Sequence, residues 1–83
     1  MSRKSLKTKH IVEVLQQLGF VIAMRKGSHA AFRHEGTGLV ITIPVARDEI
    51  PLVYLRAIER QIDNFNIIPG DKLQQLLYSE DES

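Results

Sequence analysis

Residues 20–45, FVIAMRKGSHAAFRHEGTGLVITIPV, decide the fold of this chain. The stretch contains three apolar runs with alternating side chains, which predict strands over 20–25, 29–34 and 39–45. Short glycine-containing segments separate the runs, so consecutive strands are expected to pair as an antiparallel meander. Because side chains alternate across a strand and directly paired residues share a face, the pairing register can be predicted as well.

One face of the predicted sheet is apolar, and it carries Phe20, Ile22, Met24, Ala30, Phe32, Leu39, Ile41 and Ile43. For Met24 to share this face with Phe32, residue 25 must pair with residue 29, which leaves a three-residue loop at 26–28. For Phe32 to share it with Ile41, residue 34 must pair with residue 39, which leaves a loop at 35–38. The opposite face, with Arg25, His29, Arg33 and Thr42 among small alanines, is expected to be open and basic.

A first amphipathic helix precedes the strands. Apolar residues recur at helical spacing before Gly19, a residue type that commonly ends helices: Ile11, Val14, Leu15 and Leu18. Ser5 and Thr8 are both suitable N-cap residues, and the sequence does not choose between them.

Two further helices follow the strands. Pro51 suits the first turn of a helix because the missing N–H has no intrahelical partner there. The buried stripe of this helix is expected to be Leu52, Leu55, Ile58 and Ile62, and a short third helix over 71–78 would use Leu73, Leu76 and Leu77. The predicted fold class is therefore α+β in the order α-β-β-β-α, with a three-stranded antiparallel sheet, helices on one face and a small C-terminal helix.

The composition is that of a small globular protein. A chain of 83 residues has room for one domain, expected over 1–78, with a frayed acidic tail at 79–83. The absence of cysteine excludes disulfides and thiolate metal sites. No apolar run approaches the ~18 residues of a membrane span and no signal peptide is evident, so a soluble, cytoplasmic protein is expected.

Charge is unevenly distributed along the chain. Residues 1–60 carry ten Lys and Arg against five Asp and Glu, whereas residues 61–83 carry one Lys against five acids. The net charge of +1 is thus the sum of +5 and −4. A basic body with an acidic tail is compatible with a polyanionic partner, and equally with an ordinary solvated surface.

The three histidines differ in their expected surroundings. His10 lies early in the first helix and is expected to face solvent, and His34 ends a strand beside a turn. His29 follows Arg25, Lys26, Gly27 and Ser28, and the predicted register puts it on the open face. Because histidine ordinarily titrates near neutral pH, it can take and give a proton under cellular conditions.

Cleavage of RNA is the chemistry that this segment could support. It needs a base to activate the 2′-hydroxyl or a water, and an acid for the leaving oxygen, and His29 is the candidate for such general acid–base catalysis. Nearby cations would neutralise charge on the phosphate, and a glycine would let a backbone N–H approach it. The candidate RNA-binding residues are Arg25, Lys26, Gly27, Ser28 and Arg33.

Other groups of residues give weaker evidence for a functional site. The three histidines lack metal-ligand spacing, so no metal site is expected. Glu35, Asp48 and Glu49 lie in predicted loops, where acids are common, and basic residues near the N-terminus could contact phosphates. A surface histidine beside a tight turn is also a common structural feature. A non-catalytic RNA-binding module and a protein-interaction subunit therefore stay as alternatives to a nuclease.

The chain resembles the HicA toxin family over most of residues 7–62. The resemblance lies in four segments: Leu18-Gly19-Phe20, the run from Arg25 to His34 that contains Gly27-Ser28-His29, Thr42-Ile43-Pro44-Val45 and Leu55-Arg56-Ala57-Ile58. Many relatives carry a second histidine where this chain has Ala30.

This resemblance implies a fold like that of the double-stranded RNA-binding domain and ribosome-independent cleavage of mRNA. It implies a catalytic histidine matching His29, with neither a metal nor another cofactor. It also implies a HicB-type antitoxin that neutralises the toxin and covers His29 and the basic face.

Overall fold

The computed structural model of the chain describes residues 5–78. In chain order the elements are β1 (Ser5–Lys7), α1 (Thr8–Gln17), β2 (Phe20–Lys26), β3 (His29–His34), β4 (Val40–Ile43), β5 (Glu49–Pro51), α2 (Leu52–Asn64) and α3 (Gly70–Tyr78). The predicted α+β class and the three-stranded antiparallel sheet, in the order β2-β3-β4, are confirmed. The predicted tail at 79–83 lies outside the described residues, as do Arg3 and Lys4.

The β3–β4 hairpin has the predicted register. Phe32 pairs with Ile41 and Arg33 with Val40, and the backbone N–H of His34 donates to the carbonyl of Leu39 at 2.8 Å. The loop therefore spans residues 35–38, as the alternation of apolar side chains predicts.

The β2–β3 hairpin departs from the prediction. Its pairs follow the predicted register as far as Ile22 and Phe32, but a bulge between Ile22 and Met24 then shifts the register by one residue. Lys26 rather than Arg25 lies opposite the hairpin partner His29, so the loop has two residues and not three. Since an extra residue in one strand moves every later side chain to the other face, Met24 and Arg25 exchange the faces that were predicted for them.

Two residues of β2 that the sequence assigns to the core are exposed, for different reasons. Met24 pairs with Ala31 on the open face and is 61% exposed. Ile22 pairs with Phe32 and so points toward the helices, yet it is 54% exposed because β2 is an edge strand that the helices do not fully cover. The other predicted core residues of the sheet are buried: Phe20, Ala30, Phe32, Leu39, Ile41 and Ile43.

The helices pack their apolar stripes against one side of this sheet. Their buried residues join the sheet's in one cluster: Ile11, Val14, Leu15, Leu55, Ile58, Ile62, Leu73 and Leu77. Neither N-cap candidate acts as a cap, since α1 follows Lys7 without a side-chain cap. Thr8 is instead the first helical residue, and its hydroxyl donates to the carbonyl of Arg47.

The small C-terminal helix α3 packs on α1 and α2 through Leu73 and Leu77. His10 contributes to this packing, because its Nε2 lies 2.9 Å from the carbonyl oxygen of Leu76 and 3.0 Å from that of Leu77. The expectation that His10 faces solvent is therefore wrong. Its imidazole contacts the last carbonyls of α3, which have no partner within that helix.

A two-stranded sheet, β1 paired with β5, is a feature that the sequence did not predict. Leu6 and Ile50 pair at its centre, and both are fully buried. Each strand has three residues, too few for an alternation pattern to be read. Within residues 5–78, no helix has the length and apolar character needed to cross a membrane.

Candidate functional site

The β2–β3 turn carries the candidate residue His29 at the first position of β3. The two loop residues are Gly27 and Ser28, and Gly27 has a φ of +60°. A glycine with positive φ at the first position of a two-residue loop is typical of a type II′ hairpin turn, whose twist matches that of the flanking strands. The glycine therefore allows the tight turn that holds Lys26 and His29 opposite each other.

His29 lies on the open face of the sheet, as predicted. Its neighbour Ala30 is 2% exposed and faces the helices, and successive side chains on a strand point to opposite faces. The imidazole of His29 is exposed, and its Nδ1 lies 3.1 Å from the hydroxyl oxygen of Ser28. Its Nε2 has no partner within residues 5–78. That nitrogen is thus available to a molecule arriving from solvent.

Two of the three predicted cations share this face with His29. Lys26 is its direct cross-strand partner, and directly paired residues point the same way. Arg33 is four residues further along β3, at a distance of roughly 13 Å for a rise of ~3.3 Å per residue. Lys26 can therefore contact a phosphate bound at His29. Arg33 is too distant for that and can contact only a neighbouring phosphate of the same nucleic-acid strand.

Arg25 lies on the other face, and its predicted position beside His29 is wrong. It pairs with Ala30, whose side chain is buried on the helix side. The cause is the bulge in β2, which moves the residues after it to opposite faces. Arg25 instead lines a cleft on the helix side of the sheet.

His34, at the other end of β3, is part of the structural framework. Its Nε2 donates to the carbonyl of Leu18 at 2.9 Å, and its Nδ1 accepts from the backbone N–H of Thr37 at 3.1 Å. The ring also packs against Phe20, with the ring centroids 5.0 Å apart. With both nitrogens engaged, His34 is not free to transfer a proton to or from a substrate.

Among the acidic residues expected in loops, Glu49 is placed differently by the structure. The carboxylate of Glu49 accepts a hydrogen bond from the hydroxyl of Ser5, and Glu49 belongs to β5 rather than to a loop. In the described part of the chain, no three His, Cys, Asp or Glu side chains are grouped so that they could hold a metal ion.

Comparison with protein families gives one result that bears on this site. The family model described as the HicA toxin of bacterial toxin–antitoxin systems matches residues 8–63, which include the hairpin turn and His29. The matched range runs from the start of α1 almost to the end of α2, and α3 lies beyond it. Comparisons with curated proteins and with solved structures give no match.

Proposed function

The chain belongs to the HicA toxin family of bacterial toxin–antitoxin systems, and from this premise we propose that it is an endoribonuclease that cleaves mRNA, with His29 as the general acid/base residue that takes the proton of the attacking hydroxyl. The observation that supports this function is the exposed imidazole of His29, which has an unengaged Nε2 and a lysine directly across the hairpin. Proton transfer at such a nitrogen is the contribution that a histidine ordinarily makes to catalysis.

The proposed reaction is attack by a ribose 2′-hydroxyl on the adjacent phosphate. Nε2 of His29 takes the proton of the hydroxyl, the 2′ oxygen forms a bond to phosphorus, and the bond from phosphorus to the 5′ oxygen breaks. The leaving oxygen takes a proton from solvent, so the products carry a 2′,3′-cyclic phosphate and a 5′-hydroxyl. The nucleophile is part of the substrate, and an intramolecular nucleophile needs no separate binding site.

The neighbours of His29 have distinct proposed roles. Lys26 would neutralise charge that develops on the reacting phosphate. Ser28, through its hydroxyl at 3.1 Å from Nδ1, would hold the ring so that Nε2 faces the substrate. Gly27 leaves open space at the turn, since a Cβ added at this residue would have no heavy atom within 4 Å, so a phosphate can approach the backbone there.

The partner of a toxin in this family is an antitoxin, and we propose a HicB-type protein that binds the open face of the sheet. That face carries His29, Lys26 and Arg33, together with the exposed apolar residues Met24 and Val40. Such a mixed surface suits a partner with both acidic and apolar groups. An antitoxin there would exclude RNA from the imidazole.

The test is cleavage of a defined mRNA by the purified chain, with His29→Ala beside the wild type and EDTA in both reactions. We expect cleavage by the wild type, a rate at least ~100-fold lower for the variant, and products with cyclic phosphate ends. An RNA with a 2′-deoxyribose at the cleaved position should be resistant, because it lacks the attacking oxygen.

Lys72→Ala is a suitable control, since Lys72 is an exposed cation on α3 outside the proposed site. It should cleave at the wild-type rate. If RNA binds but stays intact with the wild type at enzyme excess, the chain is an RNA-binding module without catalysis. If His29→Ala cleaves as the wild type does, the assignment of His29 is wrong.

A further inference from the structure

We infer that the chain has a second RNA-contacting site, a cleft on the helix side of the sheet that takes one unpaired nucleotide beside the cleaved bond. This inference rests on the proposed ribonuclease function. The cleft, named here the helix-side cleft, is bounded by the N-terminal part of α1, the edge strand β2 and the segment that leads into β5. Its volume of about 690 Å³ is within the ~300–1,000 Å³ of typical small-molecule sites.

The floor of the helix-side cleft is apolar and accessible. Val12 and Val45 are partly buried there, and Ile22 is 54% exposed. Large exposed aliphatic side chains in a concave surface cost free energy unless a ligand covers them. The planar face of a nucleobase can lie between apolar side chains of this kind.

The rim of the cleft carries cations that the fold does not use. Lys9, Arg25 and Arg47 all line it, are exposed and form no ion pair with any residue in the range 5–78. Lys7 is a fourth cation at the rim. Unpaired guanidinium and ammonium groups around an apolar floor can bind the phosphates that flank a base.

Three acidic residues also line the cleft, and they favour a single nucleotide over a long duplex. Glu13, Asp48 and Glu49 are all exposed, and the carboxylate of Glu49 accepts a hydrogen bond from Ser5. A groove that tracks a polyanion is expected to be uniformly basic, but a nucleobase edge presents N–H donors that a carboxylate can accept. The mixed rim thus fits a ligand that has both a phosphate and a base.

The helix-side cleft adjoins the hairpin turn that carries His29. The backbone N–H of Ala46, between the cleft residues Val45 and Arg47, donates to the carbonyl of Ser28 at 3.2 Å. Arg25 lines the cleft only four residues before His29, and the two lie on opposite faces of the edge hairpin. An RNA strand that has its reacting phosphate at His29 can therefore pass around the turn and place the next nucleotide in the cleft.

The test is RNA binding by the His29→Ala protein, which removes cleavage from the measurement. Fluorescence anisotropy with a labelled single-stranded RNA of ten nucleotides compares two double variants, Lys9→Ala with Arg47→Ala, and Arg60→Ala with Lys72→Ala. Each pair removes two exposed cations, and the second pair lies on α2 and α3, outside the cleft. We expect the first pair to weaken binding at least tenfold and to lower the salt slope by roughly 1.4, and the second pair to change the affinity less than threefold.

The apolar floor and the strand preference are tested by two further comparisons. Ile22→Ser should weaken binding of the single strand severalfold, whereas Val53→Ser, at an exposed apolar position of α2, should not. A blunt duplex of the same sequence offers no unpaired nucleotide, so the Lys9 and Arg47 substitutions should leave its affinity within about threefold.

Equal losses for the two double variants would overturn the site, because net charge alone would then explain them. Unchanged RNA affinity for the Lys9 and Arg47 pair would also overturn it, even if the same pair weakened binding of a protein partner. The binding assay does not depend on catalysis. If the chain never cleaves RNA but shows the expected binding pattern, the cleft stands as an RNA-binding site and the nuclease proposal is wrong. If the chain cleaves RNA but does not show that binding pattern, the nuclease proposal stands and the cleft is not an RNA-binding site.

Discussion

The two ends of β3 carry the same residue type in opposite circumstances. At the N-terminal end, His29 is exposed, and within residues 5–78 its imidazole has a single hydrogen-bond partner, the neighbouring residue Ser28. At the last end, His34 is partly buried, both of its ring nitrogens are hydrogen-bonded, and its ring packs on Phe20. The fold therefore relies on one imidazole and leaves the other available.

Within six residues, this difference separates the structural role of His34 from the catalytic role proposed for His29. A ring that connects the β3–β4 loop to the end of α1 contributes free energy of folding, since each of its hydrogen bonds adds about 0.5–1.5 kcal/mol. A ring that is exposed on a hairpin contributes little. Substitutions at the two ends should consequently affect different measurements.

The largest effect is expected for His29→Ala on RNA cleavage. We expect the rate to fall at least ~100-fold because the proposed general base is lost, while the free energy of unfolding changes by less than about 0.5 kcal/mol. Single-turnover cleavage and urea denaturation of the same preparation check both parts. A variant that loses activity together with stability would mean that the two ends of β3 do not differ as described.

His34→Ala should show the opposite result. Loss of the hydrogen bonds to Leu18 and Thr37, and of the ring contact with Phe20, should lower the free energy of unfolding by about 2–3 kcal/mol. For a domain of this size, that corresponds to a decrease in Tm of roughly 10 °C or more. At temperatures where the variant is folded, its cleavage rate should stay near that of the wild type.

Glu35→Ala, at an exposed position next to His34, is the control for that change. Its free energy of unfolding should stay within about 0.5 kcal/mol of the wild-type value. A His34→Ala protein as stable as the Glu35→Ala protein would remove the structural role assigned to the His34 ring.

Gly27→Ala probes the turn that presents His29. Its φ of +60° should cost an alanine about 1–2 kcal/mol, although no heavy atom lies within 4 Å of the added Cβ. Gly27→Asn should cost less, because asparagine tolerates the left-handed region better. Gly70 has open space for a Cβ and no positive φ, so Gly70→Ala is the control. Its Tm should equal that of the wild type.

The smallest effect is expected for Ser28→Ala. Loss of the hydroxyl that contacts Nδ1 of His29 should reduce cleavage about two- to tenfold, the equivalent of one ordinary hydrogen bond, without a change in Tm. Ser28→Thr retains a hydroxyl and should cleave within about twofold of the wild type. Equal rates for the alanine and threonine variants would show that the hydroxyl does not position the ring.

The sequence predicted the general architecture because that architecture follows from apolar periodicity. The β3–β4 register follows from the alternation through Phe32 and Ile41, and the helix stripes follow from spacings such as Leu55, Ile58 and Ile62. The exposure of His29 could also be predicted, because successive residues of a strand point to opposite faces. His29 and Ala30 therefore lie on opposite faces whatever the pairing of β2.

The errors at Met24 and Arg25 have a common physical origin in β2. Treating Met24 as a core residue forced a three-residue loop, although Gly27-Ser28 by itself is a recognised two-residue hairpin signal. A two-residue loop at Gly27-Ser28 pairs Lys26 with His29. Keeping Ile22 opposite Phe32 then requires one extra residue in β2, which places Arg25 on the face opposite His29. The helix-side cleft and the β1–β5 pair depend on contacts distant in sequence, and no local pattern predicts them.

Carbethoxylation of the native chain by diethyl pyrocarbonate tests the contrast between the two imidazoles most directly. The reagent attacks an accessible imidazole nitrogen, so mass spectrometry of peptides should find His29 modified first, with His34 protected by its hydrogen bonds. We predict that RNA cleavage falls in proportion to modification of His29 and returns when hydroxylamine reverses it. Full cleavage activity from a chain whose His29 is completely modified would contradict the account.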